Sequence, residues 1–403
     1  MRARDQHQDQ NLQRFVPVIR ASQPDRTRID VLIDGASRGS ELQFSADGRM
    51  QPKRIDSIDG LRAFAVTAVF LCHARWLAGG FVGVQIFFVL SGYLISSIIF
   101  NEMDETGKIS LRDFYVRRTI RLLPALLGVL AVFSFYDLAF HTKSISSPSM
   151  TALPYVLGYV GNWYQVMHGV DSLGLWGHTW TLAVEEQFYL AWPLIVVVAA
   201  RFGRRAISWV AASLFLCGTV WRLFLAASGA SFARARGTDF CIDALMLGCL
   251  LASLSPQARV AVSKVAVRAW PLATLWLVYI CVNPSLNLFV SGVQQSISAI
   301  ASAALVMTLT ESSGFLSRAL ALRPLVGLGR ISYGAYLWHL PAILALEGHI
   351  QNPVLMTLVV AVVTVVAAYC SWIVIEKPAL RLRKVFCAPS RPAQLEAAPA
   401  RTY

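Results

Sequence analysis

Ionisable residues lie in the first long apolar run of the chain, which extends from Leu61 to Leu77. His73 is near the end of this run, and Arg62 is at its start. An ionisable side chain is costly inside a lipid-spanning helix, so both residues are candidates for function. A histidine can take a proton from a hydroxyl near neutral pH and return it to a leaving group. A histidine that only hydrogen-bonds between helices is the alternative.

A cluster of arginines, in the run YVRRTIRLLP, follows the second apolar segment. Arg118 and Arg121 are three residues apart and would share one face of a helix. Two guanidinium groups on one face can hold a phosphate through paired hydrogen bonds, and Arg62 could add a third contact. The alternatives are a positive stop signal or lipid headgroup binding for the pair, and snorkelling of Arg62 to the headgroups.

The stretch WGHTWTLAVEEQFYLAWP places two adjacent carboxylates among aromatic residues at the outer edge of a predicted span. Glu185 could pair with a histidine or bind the hydroxyls of an acceptor, and one of the two carboxylates could simply face water. His178 is a weaker polar candidate at the same face, as is Asn162.

Several further residues are interpreted as supporting ones. Asp59 precedes the first run and can cap its helix, because a carboxylate accepts from the unpaired amides there. Tyr333 and His339 lie inside a later run, and Glu376 lies at the inner end of the last run, where a helix-end charge near headgroups is the alternative. Gly92 is interpreted as a small residue that lets two helices approach closely.

The composition predicts a membrane protein. Hydrophobic residues make up 56% of the 403 residues and charged residues only 15%, which is too apolar for a soluble chain. The net charge is +13, but Lys and Arg fall in short loops between apolar runs, as the positive-inside rule describes. We therefore expect membrane lipid, and no nucleic acid, as a partner. No metal site is expected, since the seven cysteines form no CxxC pair.

We predict an all-α polytopic membrane helical bundle of about ten transmembrane helices, with both termini cytoplasmic. The predicted spans are 61–77, 81–100, 122–140, 180–200, 207–226, 240–254, 270–282, 288–309, 331–346 and 353–375. Residues 151–167 are short and broken by Pro and Gly, and they are predicted to form a re-entrant or interfacial segment. One outer loop, Arg222 to Arg236, breaks the charge bias.

Three regions are predicted along the chain. Residues 1–53 are polar and are predicted to be a disordered cytoplasmic leader, with Met50 as a possible true start. Residues 54–384 form the membrane domain, and residues 385–403 form a cytoplasmic tail.

The ordered set of motifs resembles the acyltransferase-3 family of integral-membrane O-acyltransferases. The motifs are DGLRAFAV with the following histidine, GGFVGVQIFFVLSGYLI, RRTIRLLP, TWTLAVEEQFYLAWP, SYGAYLWHLP and EKP, and the resemblance covers residues 54–383. It implies transfer of an acyl group from cytoplasmic acyl-CoA, often acetyl-CoA, to a hydroxyl at the outer side. The acceptor is commonly a sugar, such as an O-antigen or exopolysaccharide, or a glycolipid. The expected location is the bacterial cytoplasmic (inner) membrane.

The resemblance also implies roles for single residues. His73 matches the family's first-span histidine, Arg62 an arginine of the same span, and Arg118 and Arg121 an RxxR pair at the donor site. Glu185 falls at the glutamate of the VEEQFY motif. No bound cofactor is expected, because acyl-CoA is a co-substrate.

Two features depart from many members of the family. Gln85 stands where they carry an acid, so no role is carried over to it. The chain is expected to act without the esterase-like domain that some members carry, with acceptor delivery by the membrane part or another protein.

Other functions remain open on the sequence. O-acylation of a small secondary metabolite such as a macrolide is one alternative. A transporter or flippase of a glycolipid is the other, since intramembrane His, Glu and Arg suit a proton-coupled path. The sequence also leaves open the oligomeric state, and whether His73 is only a base or carries the acyl group transiently.

Overall fold

The computed structural model describes residues 42–44, 50–52, 55–140, 146–285 and 287–386. In the leader, strands β1 (Leu42–Phe44) and β2 (Met50–Pro52) pair antiparallel. The rest of the leader and the residues after 386 lie outside the described residues. The disordered leader, the alternative start at Met50 and the cytoplasmic tail therefore stay predictions.

From residue 55 onward the described chain is helical, which confirms the all-α prediction for the membrane domain. Its helices are α1 (Asp56–His73), α2 (Val82–Thr106), α3 (Leu111–Phe140), α4 (Ser146–Leu157), α5 (Gly161–His168), α6 (Trp180–Ala200), α7 (Arg204–Ala227), α8 (Thr238–Ser253), α9 (Pro256–Val282), α10 (Leu288–Glu311), α11 (Phe315–Leu320), α12 (Arg323–Arg330), α13 (Ser332–Leu346), α14 (Pro353–Ser371) and α15 (Lys377–Phe386). Two 3₁₀ turns, Gly174–Thr179 and Phe232–Arg236, and a π turn, Trp372–Glu376, complete it.

Each of the ten predicted spans coincides with a helix. In the part of the chain that the structure describes, seven helices are long and apolar enough to cross a membrane. The other three are α1, which begins with charged residues, and α8 and α13, which have only 16 and 15 residues. A multi-pass membrane protein is thus confirmed, and the count of ten crossings stays a prediction.

Several helices extend beyond the apolar runs that predicted them. α3 begins at Leu111 rather than 122, and α9 begins at Pro256 rather than 270. Residues 318–330, which fall between two predicted spans, lie mostly in α11 and α12. An apolar run marks only the part of a helix in lipid, and Arg, Lys and Glu are good helix formers that continue it into water.

The predicted re-entrant segment forms two short helices, α4 and α5. They have 12 and 8 residues, too few to span a bilayer alone. The chain breaks between them where Tyr159 adopts a left-handed φ of 52°.

The helical bundle has two ends, which ion pairs between different helices mark. We call them the Asp56 end and the His73 end, after the two ends of α1. Arg330 of α12 lies 3.2 Å from Asp56 at the first end, and Arg75 lies 3.0 Å from Glu347 at the other. The sequence predicts that the Asp56 end is cytoplasmic.

Helices α2 and α8 pack backbone to backbone through two glycines. A Cβ at Gly92 would lie 2.0 Å from the carbonyl oxygen of Leu245, and one at Gly248 would lie 2.1 Å from that of Val89. Small residues allow this approach. The close-approach prediction for Gly92 is confirmed.

Replacing Gly248 with leucine is expected to force α2 and α8 apart and to lower the free energy of unfolding by about 3 kcal/mol, in the range for overpacked cores. Thermal unfolding of the detergent-solubilised protein measures the effect. Gly327→Leu is the matched control, because a Cβ there meets nothing within 4 Å. Equal unfolding midpoints for the two variants would contradict the packing argument.

Candidate active site

The backbone around the end of α1 places His73 at one end of the bundle. α1 ends at His73, and Arg75 just beyond it has a left-handed φ of 66°, a conformation that terminates helices. The chain then turns at Gly79, whose amide donates to the carbonyl of Cys281 at the end of α9 (3.0 Å). A Cβ at Gly79 would clash with the neighbouring carbonyl of Ile280. Glycine therefore lets the turn seat against α9.

Three histidines from three separate elements meet at this end, and we call them the histidine cluster: His73, His178 and His339. His339 of α13 places Nε2 3.2 Å from Nδ1 of His73, with the ring centroids 5.0 Å apart. The ring of His178, on the 3₁₀ turn Gly174–Thr179, lies 5.1 Å from that of His339. His178 and His339 are almost fully buried.

Backbone carbonyls fix the tautomers of the cluster. A carbonyl oxygen only accepts, so a ring nitrogen that contacts one must carry a proton. His73 Nδ1 lies 3.0 Å from the carbonyl of Val69, and His339 Nδ1 lies 2.6 Å from that of Tyr336. His339 Nε2 is then an acceptor and shares the His73 Nδ1 proton. In the neutral ring, His73 Nε2 therefore carries the lone pair.

His178 is held by the same helix as His339. Its Nε2 donates to the carbonyl of Leu337 (3.2 Å), and its own carbonyl accepts from the Tyr336 hydroxyl (2.8 Å). Nδ1 of His178 is buried without a hydrogen-bond partner in the described residues. No group of three or more His, Cys, Asp or Glu among those residues is arranged to hold a metal ion.

A second polar group lies deeper in the bundle, and we call it the arginine–glutamate cluster: Arg62, Arg118, Glu185, Glu186 and Tyr189. The Arg118 guanidinium lies over the Tyr189 ring, 3.8 Å from its centroid. The Tyr189 hydroxyl donates to Glu185 Oε2 (2.7 Å), and Glu185 interacts electrostatically with Arg118 and Arg62. Nε of Arg118 is a buried donor without a partner among the described residues.

The prediction that Glu185 could pair with a histidine is wrong in this structure. His73 contacts Val69 and His339, whereas Glu185 contacts Tyr189. α6 begins at Trp180 and carries Glu185 more than a turn below His178. Its carboxylate therefore interacts electrostatically with Arg118 and Arg62.

Arg118 and Arg121 interact with different carboxylates. Arg118 interacts with Glu185 and Glu186, whereas Arg121 interacts with Glu376. Glu376 ends the π turn Trp372–Glu376 and is only 7% exposed, so it is not a helix-end charge in the headgroups. π turns occur frequently at functional sites.

Comparison with known proteins decides the family. Residues 55–376 match the family model described as an acyltransferase domain. The chain belongs to the acyltransferase-3 family. It is 32% identical over 348 residues to the O-acetyltransferase OatA of Staphylococcus aureus strain NCTC 8325, covering 81% of this chain and 57% of that protein. It is 34% identical over 313 residues to the peptidoglycan O-acetyltransferase OatA of Listeria monocytogenes, covering 73% and 50%.

The chain thus spans about half the length of these relatives. No solved structure matches it. Within the acyltransferase-3 match lie both the histidine cluster and the arginine–glutamate cluster.

Two residues of the motifs have positions that differ from the sequence prediction or extend it. α1 begins at Asp56, after Ile55, so Asp59 does not cap it; Asp59 is buried with its Oδ2 3.8 Å from Arg330 Nε. The apolar run alone did not mark the first turn of α1. The Tyr333 hydroxyl donates to the carbonyl of Leu122 (2.8 Å) and so ties α13 to α3.

Sequence reasoning missed Arg236. The side chain extends from the 3₁₀ turn Phe232–Arg236, with Cζ 5.0 Å from the centroid of the Trp180 ring, and it interacts electrostatically with His73. The available signal was the excess of arginine in a predicted outer loop.

Proposed function

We propose that this chain is a membrane O-acyltransferase that moves an acyl group from cytoplasmic acyl-CoA to a carbohydrate hydroxyl at the outer side of the inner membrane. The proposed acyl group is acetyl. The observation that carries the proposal is that Nδ1 of His73, at the end of α1, is held by Val69 and His339, which leaves Nε2 as the basic nitrogen of the neutral ring. Membership of the acyltransferase-3 family supports it.

In this mechanism His73 is the general base. Its Nε2 takes the proton of the acceptor hydroxyl as the hydroxyl oxygen attacks the thioester carbon. His339 Nε2 accepts from Nδ1 of His73 and keeps the ring oriented while it is an imidazolium. A carboxylate that hydrogen-bonds to the catalytic histidine has this role in other acyl-transfer sites. The proton then passes to the departing sulfur.

The arginine–glutamate cluster suits the phosphates of the donor. A buried guanidinium is costly unless it is paired, and here Glu185 offsets the charges of Arg62 and Arg118. The unpartnered Nε of Arg118 leaves a donor for an anionic ligand. Phosphate oxygens match the planar fork of arginine. Arg121, which interacts with Glu376, extends the basic surface towards the Asp56 end.

The two clusters are separated along α1. Arg62 and His73 are eleven residues apart, which is about 16 Å at 1.5 Å per residue. A compact donor could not contact both clusters at once. A donor with its phosphates at one end and its thioester at the end of a long thin arm can do so, and this supports acyl-CoA.

The acceptor is proposed to be a hydroxyl of a cell-envelope glycan. The Listeria monocytogenes relative is named for acetylation of peptidoglycan, and an O-antigen or exopolysaccharide offers the same sugar hydroxyl. A macrolide-type acceptor and a glycolipid transporter are the competing functions. The proposed topology places both termini in the cytoplasm.

The test uses the full chain reconstituted in liposomes with labelled acetyl-CoA and envelope oligosaccharides. We expect an O-acetyl sugar ester, identified by mass spectrometry, together with release of CoA in equal amount. Movement of a glycolipid across the bilayer without CoA release would contradict the proposal and favour the transporter. Esters formed only on a macrolide would contradict the glycan acceptor.

A further inference from the structure

Three arginines lie in the stretch from the end of α7 to the start of α8, and two of them have carboxylate partners. Arg222 is fully buried and pairs with Asp243, and Arg234 pairs with Asp239. Arg236 differs from them, since its interaction with a carboxylate, that of Asp171, is electrostatic and not an ion pair. In the described part of the chain its side chain makes one hydrogen bond, to the Gln165 side chain, and no ion pair.

A hydrogen-bond frame holds the backbone of Arg236 in place. The side-chain amide of Asn162 on α5 donates to the carbonyl of Arg236 (3.3 Å) and to Thr238 Oγ1 (2.9 Å). Gln187 of α6 donates to Oδ1 of Asn162 (3.0 Å). The short turn that carries Arg236 is therefore fixed against two helices.

Contacts of the side chain direct Arg236 to the histidine cluster. Nη1 lies 3.2 Å from Gln165 Oε1, and the amide of Gln165 donates to the carbonyl of Gly177 (3.1 Å), the residue before His178. The guanidinium lies near the Trp180 ring and interacts electrostatically with His73 and with Tyr336. The frame thus holds a cation that interacts electrostatically with the proposed base.

This arrangement has an energetic cost unless a negative charge enters it. A cation beside a histidine opposes formation of the imidazolium, because like charges repel. In acyl transfer, negative charge develops on the carbonyl oxygen at the moment the base becomes positive. A guanidinium that interacts with His73 and with the carbonyl oxygen would stabilise that negative charge while it forms.

We propose that Arg236 is a further catalytic residue, which binds the oxyanion of the tetrahedral intermediate. The inference rests on the proposed function. As the hydroxyl oxygen bonds to the thioester carbon, its proton moves to His73 Nε2 and the carbonyl electron pair moves to the oxygen. N–H groups of Arg236 that Gln165 does not use donate to that oxygen. On collapse the carbonyl reforms, the C–S bond breaks, and the thiolate takes the proton from His73.

The test compares steady-state kinetics of variants of the full chain in liposomes, with acetyl-CoA and an envelope oligosaccharide. Arg236→Gln is expected to lower kcat about 10²–10³-fold, the usual loss for one oxyanion donor, with both KM values within threefold of wild type. Arg75→Gln removes an exposed arginine at the same end of the bundle and is expected to keep kcat within twofold.

A second variant keeps the test decisive if Arg236→Gln does not fold. Added guanidinium ion is expected to raise the kcat of Arg236→Ala at least tenfold. It is expected to leave the kcat of His73→Ala unchanged. An unchanged kcat in folded Arg236→Gln, no rescue of Arg236→Ala, or a loss confined to the acceptor KM would overturn the inference. The last result would assign Arg236 to an anionic group of the acceptor.

The outcomes also separate this inference from the function on which it rests. An inactive His73→Ala beside a fully active Arg236→Gln would overturn the oxyanion role alone. Equal activity of His73→Ala and wild type would overturn the role of His73, and only a wild-type chain that forms no sugar ester and releases no CoA would overturn the proposed function.

Discussion

Replacing His73 with alanine is expected to lower the rate of acyl transfer about 10³-fold, within the range for loss of a general base. The expectation follows from the tautomer of the cluster. The carbonyl of Val69 fixes the proton on Nδ1, so Nε2 is the nitrogen that can take a proton from the acceptor. Release of CoA from acetyl-CoA by the reconstituted protein, in the presence of acceptor, measures the loss.

Two sets of variants give this prediction its controls. His349→Ala changes an exposed histidine outside the cluster and is expected to leave the rate unchanged. His339→Gln keeps an oxygen that can accept from His73 Nδ1, so it is expected to retain more activity than His339→Ala. Full activity of His73→Ala, or equal loss in the two His339 variants, would contradict the proposed roles.

The fold was predictable from the sequence wherever lipid imposes a rule. Backbone groups in hydrocarbon must pair within the segment, so each long apolar run had to be a helix. The rule says nothing about residues in water. The extension of α3 back to Leu111 and of α9 back to Pro256 therefore escaped the prediction, since hydropathy does not mark the water-exposed turns of a helix.

The site was predictable where a single residue violates the apolar pattern, and less so where partners converge from distant helices. His73 stood out because its run is apolar, and the structure gives it a hydrogen-bonded partner 266 positions away, His339. The electrostatic interaction of Glu185 with the arginines depends on how deep α6 sits against α3, which the sequence of either helix does not state.

Arg236 shows the limit in another form. The positive-inside rule identified an excess of arginine at the wrong end, and two of the three arginines proved to be structural, since Arg222 and Arg234 pair with carboxylates. Only the three-dimensional frame distinguishes the third. A violation of the positive-inside rule thus indicates a functional residue, but the structure is needed to tell which of the arginines it is.

Arg118→Gln is expected to raise the KM for acetyl-CoA about 10²-fold, with a much smaller effect on kcat. Arg118 has a buried Nε without a partner in the described residues, and a charge-assisted phosphate contact there would contribute about 3 kcal/mol. Since 1.4 kcal/mol corresponds to a tenfold change, this loss equals roughly two orders of magnitude in affinity. Initial rates over a range of acetyl-CoA concentrations measure it.

Arg117→Gln is the matched control, because it removes the same charge one residue away. Arg117 pairs with Glu102 (2.8 Å) and not with the carboxylates that interact electrostatically with Arg118, so its loss should leave the KM for acetyl-CoA within threefold of wild type.

A change of donor separates a phosphate role of Arg118 from a structural one. Acetyl-pantetheine has the same thioester and arm as acetyl-CoA but lacks the phosphates. If Arg118 binds a phosphate, wild type and Arg118→Gln should use acetyl-pantetheine equally poorly. If Arg118 instead serves to neutralise Glu185, with which it interacts across Tyr189, the variant should be impaired equally with both donors. A KM effect confined to acetyl-CoA would fix the phosphate end of the donor at Arg118. The acyl group must then travel along α1 to reach His73, so the donor site and the reacting centre are the two ends of one elongated site.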